Sequence, residues 1–159
     1  MRHYAQDTKV SPTSSVEQIR RLLTNAGSRG FAFEEVEEYA QIAFQLHDRT
    51  IRFKVQYPSP DDRQFTHTEV QGWEREPRKA RELWERAIRQ KWRALHLMVK
   101  AKLEAIASGI VTAEEEWMPY TVLRTGQTVS EWVEEQQTAH AMLEPGERLP
   151  NVIQLPPMR

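Results

Sequence analysis

Three features of the chain predict an α+β domain in which a three- to four-stranded antiparallel sheet carries a long helix and shorter helices on one face. Two neighbouring segments alternate apolar and polar residues, a stretch from about Pro77 to Ala107 has helical periodicity throughout, and capping signals punctuate the rest. The expected order is α-β-β-β-α-α-β-α.

The first helix is expected after an arm at residues 1–13, because Ser14 and Glu17 have the spacing of a capping box. Val16, Ile19, Leu22, Leu23 and Ala26 share one face, and Gly27 can close the helix in the left-handed conformation. Three strands should follow, from Phe31 to Val36, Tyr39 to His47 and Thr50 to Tyr57. A turn on Asp48-Arg49 would pair Leu46 with Ile51, Phe44 with Phe53, and Ile42 with Val55. Gln41, Gln45, Arg52, Lys54 and Gln56 then occupy the opposite, polar face. The prolines at 58 and 60 end the sheet, and a polar loop runs to about Glu76.

Pro77 suits the first position of the long helix, where its missing N–H costs nothing. Its apolar seam reads Ala80, Trp84, Ala87, Ile88, Lys91, Leu95, Met98, Val99, Lys102 and Ile106. Capping boxes at Thr112/Glu115 and Thr128/Glu131 open a short helix through Trp117 and a last one to about Leu143. Between them, Tyr120 to Leu123 reads as a fourth strand. The domain is therefore expected over residues 14–143, with a proline-rich extended tail at 144–159.

Composition narrows the chemistry. The chain has no cysteine, which excludes disulfides, thiolate nucleophiles and cysteine metal sites. No apolar h-region opens it and no window is long enough to span a bilayer, so the expectation is a cytoplasmic protein without a membrane. The formal charge of −1 conceals an asymmetry. Arg75 to Lys102 holds ten bases against three acids, whereas Glu104 to Glu147 holds nine acids against one base. Either the halves neutralise each other in the fold or one presents a charged face to a partner.

The candidate face is a ridge beside the apolar seam: Glu82, Arg86, Arg89, Arg93, His96, Lys100 and Glu104 follow at steps of three or four. Arg86 to Lys100 spans about 21 Å at the helical rise, enough to meet several phosphates. Arg52 and Lys54 on the polar sheet face form a second basic patch. Trp84 and Trp132 read as core, while Trp73 and Trp92 are the indoles placed to stack on a base. The same ridge is equally a solvated face, one paired with Glu114–Glu116 and Glu131–Glu135, or a site for an acidic protein.

Catalytic signals are weak. Asp61, Asp62 and His67 share a loop and could gather a cation for hydrolysis, but a solvated loop has the same composition, and no H-E-x-x-H pair or glycine-rich phosphate loop occurs. No catalytic residue, cofactor or metal is expected.

Five segments add a resemblance: Arg49-Thr50-Ile51-Arg52-Phe53, Phe65-Thr66-His67-Thr68, Arg89 to Leu95, Val99 to Ala105, and Gly126-Gln127-Thr128-Val129. In wording and order they resemble a family of small uncharacterised proteins of bacteriophages, prophages and other bacterial mobile elements. The likeness covers roughly Tyr4 to Trp132 and transfers no catalytic residue. It implies a setting in which small proteins serve replication and recombination or counter host defence. The expectation is a non-enzymatic, nucleic-acid-binding accessory of mobile-element DNA metabolism. A module that engages a host or phage protein is the first alternative, and a metal-dependent nuclease the second.

Overall fold

A computed structural model describes residues 8–137. The expected last turns of the final helix and the proline-rich tail lie outside the described residues, as do the first seven residues of the arm. The elements are α1 (Pro12–Asn25), β1 (Arg29–Glu35), β2 (Tyr39–Leu46), β3 (Arg49–Gln56), α2 (Arg63–Thr66), α3 (Pro77–Ala107), α4 (Ala113–Trp117), a 3₁₀ turn (Met118–Tyr120) and α5 (Val129–Gln137). The sheet is antiparallel in the order β1-β2-β3.

Helix α1 starts earlier than the Ser14/Glu17 spacing suggests. Ser11 is the cap, its hydroxyl accepting the Ser14 N–H at 3.1 Å, and Pro12 takes the first turn. Glu17 turns instead to Arg21 one helical turn on. Gly27, at φ +88°, closes the helix as expected, and the Ser28 N–H reaches back to the Leu23 carbonyl.

The β2–β3 hairpin has the expected inward face but a register shifted by two. Ala40 pairs with Val55, Ile42 with Phe53, Phe44 with Ile51, and Leu46 with Arg49. The cause is the turn, which uses His47 and Asp48, both in the left-handed region at φ 48° and 61°. Two consecutive left-handed residues make the tight two-residue loop whose twist suits a hairpin. Because side chains alternate with period two, a shift of two leaves every residue on its expected face.

The core lies between this sheet and α1, α3 and α4, and includes Ile19, Leu23, Ile42, Phe44, Ile51, Phe53, Trp92, Val99 and Trp117. Trp117 meets Phe44 and Phe53 edge-on at 6.0 and 6.1 Å. The expected fourth strand is reduced to bridges from Ile51 to Thr121 and from Val122 to Thr128, since Tyr120 is drawn into the 3₁₀ turn. The loop before α3 is more ordered than its polarity suggests. One helical turn buries Phe65, and His67 bridges Glu74.

Candidate nucleic-acid interface

Helix α3 is held by its buried line Ile88, Trp92, Leu95, His96 and Val99. Ile88, Leu95 and Val99 are buried as the expected seam has them, with Trp84, Met98 and Ile106 packed against the core; the departure is at Lys91, which is exposed while Trp92 is buried instead. Trp92 is fully buried, its indole N–H donating to the Tyr57 hydroxyl at 3.0 Å, so it is a core residue rather than a stacking platform. The expectation for Trp132 reverses in the opposite sense, because it is 45% exposed. Trp84 is part-buried and donates to the Pro58 carbonyl, while Trp73 is exposed.

Helix α1 lies beside α3 and runs in the same direction. Pro12 borders Ile88 and Arg89, Gln18 bonds Arg93, and Leu22 to Ala26 border Lys100 to Glu104. The basic ridge therefore follows the junction of the two helices. Arg93 is half-buried there, donating to the Gln18 side-chain oxygen at 2.9 Å and lying 3.2 Å from His96 Nδ1. His96 is buried on the same ridge. Burial, and then the positive charges of Arg93 and Lys100, hold its pKa below the ordinary histidine value. A neutral ring whose Nδ1 accepts from Arg93 carries its proton on Nε2. Lys100 is exposed, and Arg86 and Arg89 are half-buried. Arg89 lines a groove that also contains Glu35, Glu37 and Glu85, beside the start of α1.

The second patch does not stay open. Arg52 is drawn to the last segment, donating to the Gly126 carbonyl at 3.0 Å and to Glu131 at 2.6 Å. Glu131 in turn accepts the Thr128 N–H at 2.7 Å, completing the cap of α5. That N–H first, opposed by burial and then aided by the Arg52 charge, leaves the Glu131 pKa below the ordinary carboxylate value. Lys54 is exposed, its ammonium 4.0 Å over the Tyr39 ring.

Three acids of the C-terminal half pair with bases outside the ridge. Glu114 accepts from Arg49 at 2.8 Å, Glu116 from Lys102 at 2.6 Å, and Glu131 from Arg52. Glu115 is used in its own capping box with Thr112. Lys102, which interrupted the apolar seam, is thereby accounted for: its ammonium lies over Tyr120 at 4.9 Å while its stem covers the core.

The loop residues singled out for a cation do not converge. Asp62 starts α2, His67 Nδ1 lies 2.9 Å from the Thr66 hydroxyl, and no group of three or more metal-ligating side chains occurs among the described residues. Among the described residues, no helix is long and apolar enough to cross a membrane. Neither a family model nor a curated protein nor a solved structure matches the chain.

Proposed function

We propose that the α1/α3 junction is a phosphate-binding face and that the protein is a non-enzymatic nucleic-acid-binding accessory, in the phage or mobile-element setting that its resemblance suggests. One observation carries this reading. The carboxylates best placed in sequence to neutralise the ridge, Glu114, Glu116 and Glu131, are taken by Arg49, Lys102 and Arg52. Arg93 and Lys100 therefore remain along the helical junction, with Arg89 beside the start of α1. Arg93 is positioned for the task by Gln18 and His96, so less side-chain freedom is lost when it meets a phosphate. Trp92 is buried and offers no base stacking at the junction, so the reading is of a contact with the backbone that is insensitive to sequence.

The test is a gel-shift titration at two salt concentrations beside a thermal melt. Lys100→Glu and Arg93→Gln should each flatten the log–log salt dependence by about one unit, equally on unrelated sequences. A parent protein that melts normally yet shifts no nucleic acid at low salt would overturn the reading.

A further inference from the structure

Strand β1 ends the sheet, with no neighbour on its outer side among the described residues. Its pairing with β2 is fixed by the Val36 N–H donating to the Tyr39 carbonyl, so Glu34 and Ala32 make the other ladder bonds of this parity. Phe33 and Glu35 consequently aim their backbone N–H and C=O groups outward. Such an edge is a template for another strand, and proteins ordinarily blunt it. Here a bulge between Arg29 and Ala32, with Gly30 at φ +57°, blunts only the start. The remainder keeps exposed apolar side chains, Phe33 at 46% and Val36 at 38%.

The end of this edge opens into a groove of about 430 Å³ between the β1–β2 turn, Tyr57, the start of α1 and the Trp84–Arg89 turn of α3. Trp84, Ile88 and Val36 make it apolar, and Glu35 and Glu37 outnumber Arg89, while Glu85 is paired with Arg81 at 3.2 Å. The Glu35 carboxylate is held in place by the Tyr57 hydroxyl at 2.5 Å. From Arg29 to Glu38 the chain carries Arg29 against Glu34, Glu35, Glu37 and Glu38, a balance of −3.

We infer that the β1 edge is a docking site for an extended peptide of basic and apolar residues, which adds to the sheet as a strand and places a Lys or Arg side chain at the groove. The outward backbone groups of Phe33 and Glu35 supply the ladder, which gives affinity without regard to side chains. Selection follows from the carboxylates. A second copy of this chain is the poorer occupant, because antiparallel pairing of two β1 strands would bring eight of these glutamates together against two arginines. This site lies away from Lys100 and does not depend on the phosphate-binding reading.

Fluorescence polarisation on the full chain, with a labelled peptide alternating Lys and Val and a matched one alternating Glu and Val, tests this. The basic peptide should bind at least about tenfold more tightly, Glu37→Lys should remove most of that preference, and Lys100→Glu should leave it intact. Phe33→Pro removes an outward N–H without removing a bond to β2, whereas Phe33→Ala removes only the ring. The proline variant should therefore lose binding that the alanine variant keeps in part. Equal binding of the two peptides, or of the two Phe33 variants while both remain folded, overturns the proposal. So does self-association of the full chain that Phe33→Pro abolishes when no basic peptide binds, since the edge then belongs to a second copy.

Discussion

Lys100 and Lys102 stand two residues apart on α3 and differ in what the fold delivers to them. On the α4 side, Lys102 is largely enclosed, bonded to Glu116 at 2.6 Å and set over Tyr120. On the α1 side, Lys100 is exposed, and Arg93 meets an uncharged glutamine from α1. The two sides show that a charge dipole in sequence is not settled by proximity in sequence. Glu114, Glu131 and Glu116 meet Arg49, Arg52 and Lys102, while on the α1 side of α3 Arg93 meets the neutral Gln18.

Trp92 separates these two sides, and its removal should have the largest effect. Trp92→Ala takes away a fully buried indole and the donor to the Tyr57 hydroxyl, with an expected loss of about 3–5 kcal/mol in denaturant unfolding. A loss near zero with weakened nucleic-acid binding would instead make Trp92 a surface residue and dissolve the division between the sides.

The same junction titrates. Burial first, then the bond to the Glu35 carboxylate, push the Tyr57 pKa from 10.0 to about 12. The folded pKa is the higher one, so this stabilisation is complete below pH 10 and is lost as the pH rises toward 12. The loss amounts to at most about 2.7 kcal/mol. Tyr57→Phe should flatten stability over this window, which pH-dependent urea titrations would detect.

A smaller effect distinguishes the two lysines directly. Glu116→Gln leaves a largely enclosed ammonium without its charge partner, and should cost about 1–2 kcal/mol once residual solvent exposure is allowed for. Lys100→Ala should change stability by less than about 0.5 kcal/mol. Equal costs would mean that both lysines serve the fold and would remove the basis for a binding role at the α1 side.

What could be read in the chain beforehand followed the range of the interaction. The Thr112/Glu115 and Thr128/Glu131 boxes are local, close within one turn, and are found as expected. The inward face of the hairpin is likewise local, since alternation alone determines it. Its register was not legible, because it depends on whether His47 and Asp48 accept left-handed conformations that few non-glycine residues adopt. The site was less legible still. Whether Arg93 is free depends on Gln18, and whether Trp92 is exposed depends on Tyr57, partners 75 and 35 residues away. Within a helical seam that is otherwise as expected, Trp92 is inward and Lys91 outward, and the only local hint was that an indole fills a core better than an ammonium.

The smallest expected effect is also the sharpest probe of the α1 side. His96 is held below its ordinary pKa by burial and by Arg93 and Lys100, with the neutral Gln18 as the facing residue on α1 bonded to Arg93. A histidine with a depressed folded pKa costs no stability above the unfolded value of about 6.5 and destabilises the fold as pH falls below it. Lys100→Ala removes one of the opposing charges, so the His96 ring should titrate at higher pH and the acid-side loss of stability should shrink. Lys102→Ala, on the other side of the helix, should leave the titration in place. A phosphate on the ridge would act in the same direction as Lys100→Ala, by offsetting the positive charges around the ring. Nucleic-acid binding should then take up protons and tighten as pH falls below the ordinary histidine range. An NMR titration of the His96 ring protons, with and without an oligonucleotide, measures both; a His96 pKa that moves with Lys102 rather than with Lys100 would show that the two sides of α3 are not electrostatically distinct.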